Sequence, residues 1–311
     1  MIITNHHNIP APLYWAIVKL NNEYDRGESD FTVTELCGPP QIARLKREHG
    51  DTLEVDASDL IYRTLGTAMH KIVMAGAEVA AEHGFESITE ERLYETFIVE
   101  DRPWKIGGQY DLIYRDEAGK LILLDWKLMS IWEAKNGLKP EKVWQANMLA
   151  HLARYNGYEV TGLEVGGWFR DWSKVQAHKR ADHPSRQSET FPVPMWEDEA
   201  CELFIEERIQ HHLSLPECTV EDRWAKEEGW AVMKKGRKSA LKVHRGADAM
   251  AQAHSDASSR GAGHFVEHRP SEETRCLWYC DLSEICPQRQ AMLEAESDQN
   301  SVTSGGVSHE Q

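Results

Sequence analysis

The sequence predicts an α/β protein whose central mixed β-sheet is flanked by helices, with a small ββαβ module in addition. Two observations predict this fold. Helical patterns, in which apolar residues recur every three or four positions, are interleaved with short strand patterns, and this order is typical of layers of helices on a sheet. The chain has 311 residues, enough for one large domain or two smaller ones, each with a substantial core.

The elements are predicted in the following order. A long helix begins near Ser58 or Asp59 and ends at Gly84. Strands are predicted at 93–99, 105–114, 120–128 and 164–169, and further helices at 141–155 and 197–213. We divide the chain into an N-terminal region with the main domain (1–229), a basic ββαβ module (230–268), a cysteine-containing segment (269–290) and a polar tail expected to be disordered (291–311).

The charge distribution bears on the partner. The formal net charge is −16, and the resulting long-range repulsion argues against a polyanionic partner. Residues 230–245, however, contain no acid and six basic residues, and a candidate nucleic-acid contact lies at their predicted turn: Lys234, Lys235, Arg237 and Lys238. An ordinary solvated surface is an equally good interpretation of this loop.

The sequence also bears on the compartment. No apolar run approaches the roughly 20 residues that span a bilayer. The N-terminus lacks a basic region followed by an apolar one, which would mark the chain for export. We therefore expect a cytoplasmic protein that does not contact the membrane.

The stretch GGQYDLIYRDEAGKLILLDWK (107–127) predicts a β-hairpin with two acidic residues face to face. A three-residue loop at 117–119, with Gly119 at the position of positive φ, sets a register in which Asp111 lies opposite Asp125, their Cβ atoms about 5 Å apart. Alternation places Lys127 on the same face as Asp125. Like charges so placed destabilise a sheet, whereas a Mg²⁺ or Mn²⁺ ion between them would cancel the repulsion. An exposed hairpin with miscellaneous charges is the alternative, but the apolar run 121–124 disfavours it.

A metal held beside a lysine suits phosphodiester hydrolysis, and the residues resemble a known nuclease family. Gly108 and Asp111 resemble the G-x-x-D element, and Asp125 and Lys127 the D-x-K element, of the PD-(D/E)xK nuclease superfamily. The upstream histidine described below is similar to that of its RecB-like branch, which includes CRISPR-associated exonucleases and phage-type members with an iron–sulfur cluster. The resemblance implies a restriction-endonuclease-like core.

The resemblance implies further site residues. His70 would be a metal ligand on the long helix, in a stripe where small residues such as Gly66 and Ala77 let the helix approach the sheet. The main-chain carbonyl of Trp126 would be another ligand. Gln145 matches the first position of the Q-x-x-x-Y signature of this branch, but Leu149 stands where tyrosine is expected. A packed or exposed histidine and a water-exposed glutamine remain alternatives.

The spacing of three of the six cysteines predicts a metal centre. Cys276, Cys280 and Cys286 lie close enough in sequence to ligate one ion or cluster, and a fourth ligand would come from elsewhere. The resemblance implies a 4Fe–4S cluster with Cys37 as that ligand, while Cys218 is the rival candidate. Zinc is the alternative to iron and sulfur, because both accept four thiolates.

The function expected from these residues is a Mg²⁺- or Mn²⁺-dependent DNA nuclease, an exonuclease acting on ends or single strands in recombination or end processing. Asp111, Asp125, Lys127 and Gln145 would form the catalytic site. Its partners would be DNA and recombination or phage replication proteins, in the host cytoplasm if a phage encodes it. The alternatives are a non-catalytic nucleic-acid-binding protein with the same fold and cluster, and a cytosolic zinc-dependent interaction protein.

Overall fold

The computed structural model describes residues 1–23 and 25–304, and the chain divides into two compact units, Met1–Pro216 and Glu217–Gln311. The helices described in the first unit are α1 (Ala11–Asn22), α2 (Val33–Cys37), α3 (Pro40–His49), α4 (Ile61–Glu82, after a 3-10 turn at Ala57–Leu60), α5 (Ile131–Asn136), α6 (Pro140–Tyr155), α7 (Lys174–Lys179) and α8 (Asp198–Leu213). Its strands are β1 (Ile2–Thr4), β2 (Phe31–Thr32), β3 (Glu54–Asp56), β4 (Ser87–Thr89), β5 (Arg92–Val99), β6 (Arg102–Gln109), β7 (Leu112–Arg115), β8 (Leu121–Met129), β9 (Val160–Phe169) and β10 (Ser188–Pro192).

The main sheet has five strands in the order β10-β9-β8-β7-β4. Strands β8 and β9 are parallel, whereas β7 with β8, β9 with β10 and β4 with β7 are antiparallel. A second sheet has the order β2-β6-β5, and β1 pairs with β3. The predicted α/β fold with a mixed sheet flanked by helices is therefore confirmed.

The prediction of a single strand at 105–114 is wrong, because this segment forms two strands. Strand β6 ends at Gln109 in the smaller sheet, and β7 begins at Leu112 in the main sheet. Tyr110 and Asp111 lie at the crossing, and Tyr110 is completely buried. The chain thus changes sheets directly before Asp111, which removes this residue from the regular ladder.

Helix α6 packs against this crossing and is buried on almost every side. Its residues 146–153 are all buried, which explains why the helix shows no polar face over this stretch. A Cβ atom at Gly108 would lie 2.6 Å from Cδ2 of Leu149 and 3.0 Å from Cδ1 of Leu152. Gly108 therefore lets α6 lie directly on strand β6 near the start of the hairpin.

Helix α4 packs on the main sheet, but only one of the two small residues expected to allow the close approach contacts the sheet. Ala77 packs against Leu112 and Leu124, which are partners on β7 and β8. Gly66 does not have the expected role, since a Cβ atom there would meet no atom within 4 Å. The close approach thus depends on Ala77, three turns further along the helix.

The second unit contains the predicted ββαβ module, which is confirmed. Its described elements are β11 (Ala225–Lys226), β12 (Gly229–Lys234), β13 (Lys242–Arg245), α9 (Ala249–Ser259), β14 (His264–Arg269), β15 (Glu272–Glu273), α10 (Thr274–Trp278) and α11 (Pro287–Ser304). Strand β12 lies between β13 and β14, antiparallel to both. Ala253 and Ala257 of α9 pack on Val232 of β12 and close the module's small core.

Helix α11 extends into the segment predicted to be a disordered tail. The structure places 291–304 in this helix, and residues 305–311 of the predicted tail lie outside the described residues. Among the helices of the described residues, none combines the length and apolar character that crossing a bilayer requires.

Candidate active site

The hairpin β7–β8 has the register predicted from its loop. Leu112 pairs with Leu124 and Arg115 with Leu121, so the same spacing places Asp111 across from Asp125. The turn supports this register, because the N–H of Asp116 donates to the carbonyl of Lys120 over 2.9 Å and Gly119 has a φ of 81°. The two acidic residues therefore face each other where β8 leaves the hairpin.

Five of the predicted site residues converge at this point. The ammonium of Lys127 donates to Oδ1 of Asp125 over 2.8 Å and lies 2.6 Å from its Oδ2. Nδ1 of His70 on α4 lies 3.2 Å from Oδ1 of Asp111. The N–H of Trp126 donates to Oδ2 of Asp111 over 2.6 Å. The main chain of Trp126 thus orients Asp111, and His70 approaches the other oxygen of the same carboxylate.

Burial and neighbouring charges shift the pKa values of the site residues. Asp125 is only 2% exposed, and this burial, together with the charge of Asp111, raises the pKa of Asp125 against the opposing effect of Lys127. Burial lowers the pKa of Lys127 and of His70, but the neighbouring carboxylates outweigh it, so both pKa values are raised. The pair of carboxylates is therefore held where added positive charge would be strongly favourable.

These side chains form one wall of a cleft of about 580 Å³. Its lining residues come from strands β2, β5 and β6, the loop between β4 and β5, helices α2, α4 and α6, and the hairpin: Thr32, Val33, Thr34, Thr67, His70, Lys71, Glu90, Arg92, Gly107, Gly108, Gln109, Asp111, Asp125, Lys127, Gln145 and Leu149. Gln145 faces this cleft as expected, with its Nε2 3.5 Å from Oγ1 of Thr34. Leu149 also lines it, at the position where the resemblance would have a tyrosine.

Sequence reasoning missed Glu90, which lies on the same cleft. Its φ is +47°, and its N–H donates to the carbonyl of Asp111 over 3.2 Å. An exposed acid held in this conformation next to Asp111 is a further candidate ligand. The sequence offered only a general concentration of acids between 82 and 100, which does not single out this residue.

The C-terminal cysteines and Cys218 influence one another electrostatically. The pKa of Cys218 is raised to about 12, first by burial and also by nearby groups that include Cys286 and Cys276. Cys276 is in turn affected by Cys280 and Cys286, and burial raises its pKa as well. These interactions link Cys218 to Cys276 and Cys286, and Cys276 to Cys280, although among the described residues no three of these sulfur atoms lie within 4.8 Å of one another.

Hydrogen bonds between the main chain of Cys218 and the side chain of Gln288 hold Cys218 beside the start of α11, which directly follows Cys286. The N–H of Cys218 donates to Oε1 of Gln288 over 3.0 Å, and Nε2 of Gln288 donates back to the carbonyl of Cys218 over 2.9 Å. Arg223 donates to the same carbonyl and pairs with Glu273 at 2.9 Å. This clamp favours Cys218 as the fourth member of the group.

Cys37 belongs to the first unit and has a different environment. It is the last residue of α2, and its partners in electrostatic interaction include Arg208, Lys127 and Asp125. Burial raises its pKa to about 12. Cys37 is therefore a neutral thiol that packs against the core of the first unit and lies within electrostatic range of Lys127 and Asp125.

Of the four basic residues of the predicted nucleic-acid contact, the first ends β12 and the other three lie in the turn between β12 and β13. They are all exposed: Lys234, Lys235, Arg237 and Lys238. Gly236 has a φ of 84° and forms the turn, and Nε of Arg237 donates to Oγ of Ser239 over 3.0 Å. The turn thus presents a compact group of cations to solvent.

Comparisons with known proteins give only remote likenesses. No protein-family model matches the chain, and no curated protein matches it. The crystal structure of SSO0001 is similar over 66% of this chain and 84% of its own, with 16% identity and a TM-score of 0.46. An alkaline exonuclease (LHK-Exo) from Laribacter hongkongensis is similar over 59% of this chain and 85% of its own, with 14% identity and a TM-score of 0.36. Likeness at this level assigns no function to the chain.

Proposed function

We propose that the protein is a Mg²⁺- or Mn²⁺-dependent deoxyribonuclease of the RecB-like PD-(D/E)xK branch, which degrades DNA from its ends in recombination or end processing. The observation that carries the proposal is the buried carboxylate pair. Asp125 is 2% exposed and Asp111 9% exposed, and both line the same open cleft as Lys127. Two acids facing each other in such a position are costly unless a cation joins them.

The donor set fits a divalent cation. Oδ2 of Asp125 accepts no hydrogen bond from any residue that the structure describes, although the ammonium of Lys127 lies nearby. Carboxylate oxygens suit Mg²⁺ and Mn²⁺, and an imidazole such as that of His70 is compatible with Mn²⁺. Asp111, Asp125, His70 and the carbonyl of Trp126 are the proposed ligands.

The residues of the chain supply the other requirements of hydrolysis. When bound, the divalent ion supplies charge neutralisation and activation of water. Asp111 and Asp125 would hold it, and the N–H of Trp126 keeps Asp111 in place. Lys127, charged because Asp125 accepts from it, orients the attacking water and stabilises negative charge on the phosphate in the transition state.

The rim of the cleft provides contacts for a DNA backbone. Lys71 and Arg92 line it, and Lys71 is more than half exposed while pairing with Glu23 at 2.6 Å. Gln145 offers an amide that reaches the same space. The proposed role of these groups is to position the phosphate chain, because phosphate contacts fix register without reading sequence.

We also propose that Cys218, Cys276, Cys280 and Cys286 hold a 4Fe–4S cluster, with zinc as the competing occupant. The clamp between Cys218 and Gln288 supports Cys218 over Cys37 as the fourth ligand. After anaerobic purification, Cys218→Ser should lose the visible absorption of the cluster, whereas Cys37→Ser should keep it. A protein that is colourless and contains zinc would assign the site to zinc instead. Loss of colour in Cys37→Ser alone would reject the assignment of Cys218.

The nuclease proposal is tested with end-labelled linear DNA and covalently closed circles, single- and double-stranded, in Mn²⁺ or in EDTA. Wild-type protein should degrade linear DNA in Mn²⁺ only, and leave closed circles intact. Asp111→Ala should be inactive, whereas Asp116→Asn, a matched change at the exposed turn of the same hairpin, should retain activity. DNA binding without degradation by the wild type would identify a non-catalytic binding protein, and equal activity of Asp111→Ala would reject the site.

A further inference from the structure

A second group of possible metal ligands lies between β5, α6 and α8. One donor atom of each of Glu95, His151 and Glu202 lies within 4.8 Å of the others. Glu95 is 9% exposed and His151 is 2% exposed, while Glu202 is open to solvent. The three residues come from parts of the sequence more than 40 positions apart, so only the fold brings them together.

The two buried residues approach each other without forming a hydrogen bond. Nε2 of His151 lies 2.8 Å from Oε2 of Glu95. Neither atom has a hydrogen-bond partner of acceptable geometry among the residues that the structure describes. Buried polar groups without a hydrogen bond are costly, and a cation bound by both of these atoms would satisfy them.

The opposite side of the imidazole is already held. Nδ1 of His151 lies 3.1 Å from Oδ1 of Asp198, and this carboxylate also accepts from Nε of Arg154 over 2.7 Å. Because a carboxylate can only accept, Asp198 holds a proton on Nδ1, and Nε2 is the nitrogen that faces Glu95. With Zn²⁺ bound, Nε2 would be the ligand atom. Histidines that bind metals are typically held in this way by a carboxylate on the other nitrogen.

We propose that Glu95, His151 and Glu202 form a Zn²⁺ site, oriented by Asp198, that ties α8 to α6 and β5. One imidazole nitrogen and two carboxylate oxygens are ordinary zinc ligands, and the exposed side of Glu202 leaves room for water as a fourth. The site would fasten the last helix of the first unit to its core.

This site is separate from the carboxylate cleft. Leu149 of α6 lines the cleft, and His151 follows it by two residues, which turns its side chain about 200° around the helix axis. None of Glu95, His151 and Glu202 lines the cleft. The proposal therefore stands independently of the nuclease activity.

The test measures zinc bound by the full-length protein after removal of metals with a chelator and titration with Zn²⁺. Glu202→Gln, an exposed and nearly isosteric change, should bind one zinc fewer per chain, or bind that zinc at least about tenfold more weakly. His151→Gln should show the same loss. Glu207→Gln, an exposed acid on the same helix and away from the three ligands, is the matched control and should behave as the wild type.

The counting separates this site from the cysteines. When Co²⁺ replaces zinc, thiolate ligands give it an intense charge-transfer absorption, whereas nitrogen and oxygen ligands do not. The Co²⁺ lost in Glu202→Gln should therefore be Co²⁺ without this absorption. Equal stoichiometry and affinity in wild type and Glu202→Gln would overturn the proposal. An imidazolium of His151 between Glu95 and Asp198, seen by NMR in the presence of excess Zn²⁺, would overturn it as well.

Discussion

Replacing Lys127 by methionine should destabilise the metal-free protein, because it leaves the carboxylate of Asp125 buried without its cation. The side chain of Asp125 is 2% exposed and that of Lys127 is 21% exposed, so the pair is largely shielded from water. Removing one partner of a buried pair costs about 3–5 kcal/mol, and the partial exposure of Lys127 favours the lower end of this range. Methionine keeps most of the volume of the lysine stem, so packing changes little.

In thermal terms the effect is large. For a unit of about 200 residues, 1 kcal/mol corresponds to about 2–4 °C in Tm, so Lys127→Met should lower the Tm by roughly 6–12 °C. The unfolding of the first unit is followed by circular dichroism in EDTA and again in excess Mn²⁺. Because the cation would take over the role of the ammonium, Mn²⁺ should raise the Tm of Lys127→Met by more than that of the wild type.

The double variant Asp125→Asn/Lys127→Met is the control for this reasoning. It removes both charges, so most of the stability lost in Lys127→Met should return. A Tm of Lys127→Met in EDTA that equals the wild-type value would refute the buried pair. A double variant no more stable than Lys127→Met would show that the loss comes from packing and not from an unpaired charge.

Three further predictions concern the core, the pH dependence of stability and the basic turn. Gly108→Ala should lower the free energy of unfolding by about 1–3 kcal/mol, because the new Cβ would collide with Leu149. Gly66→Ala, in open space within α4, should raise it by about 1 kcal/mol. Chemical denaturation measures both changes, and equal effects would contradict the packing described. Burial lowers the pKa of His212 to about 4, so between pH 6.5 and 4 the unfolded chain binds more protons than the folded one. The free energy of unfolding should therefore fall by up to about 1.4 kcal/mol for each unit by which the pH is lowered. His212→Gln should show a shallower decline across this window, and an unchanged slope would contradict this origin. Replacing Lys235 and Lys238 together by glutamine should weaken DNA binding. It should also reduce the slope of the logarithm of the binding constant against the logarithm of the salt concentration by about 2, which filter binding at a series of salt concentrations measures. An unchanged slope would exclude the turn from the DNA contact.

The sequence predicted the hairpin well because its determinants are local. The alternation of side chains and the turn at Gly119 fix the register, so the positions of Asp125 and Lys127 relative to Asp111 followed from the sequence alone. His70 came from the resemblance, since nothing in a helical pattern marks one histidine as facing a site. Its contact with Asp111 depends on how α4 lies on the sheet.

The features that the sequence did not predict depend on packing between distant segments. The break before Asp111 arises where Gly108 meets α6, more than 30 residues later in the chain. The hydrogen bonds between Cys218 and Gln288, on which our proposal of Cys218 as the fourth ligand depends, join residues 70 positions apart. The group of Glu95, His151 and Glu202 has no spacing that a motif could record, because each residue comes from a different element.

The role proposed for Asp111 and Asp125 is to bind the cation on which DNA hydrolysis depends. The most direct test is the rate of degradation of linear DNA as a function of Mn²⁺ concentration, in wild type and in Asp111→Asn. We expect the wild-type rate to saturate with Mn²⁺, and the variant to need at least about tenfold more Mn²⁺ and to reach a maximal rate lower by a factor of about 100 or more. Superimposable curves for the two proteins would contradict the claim.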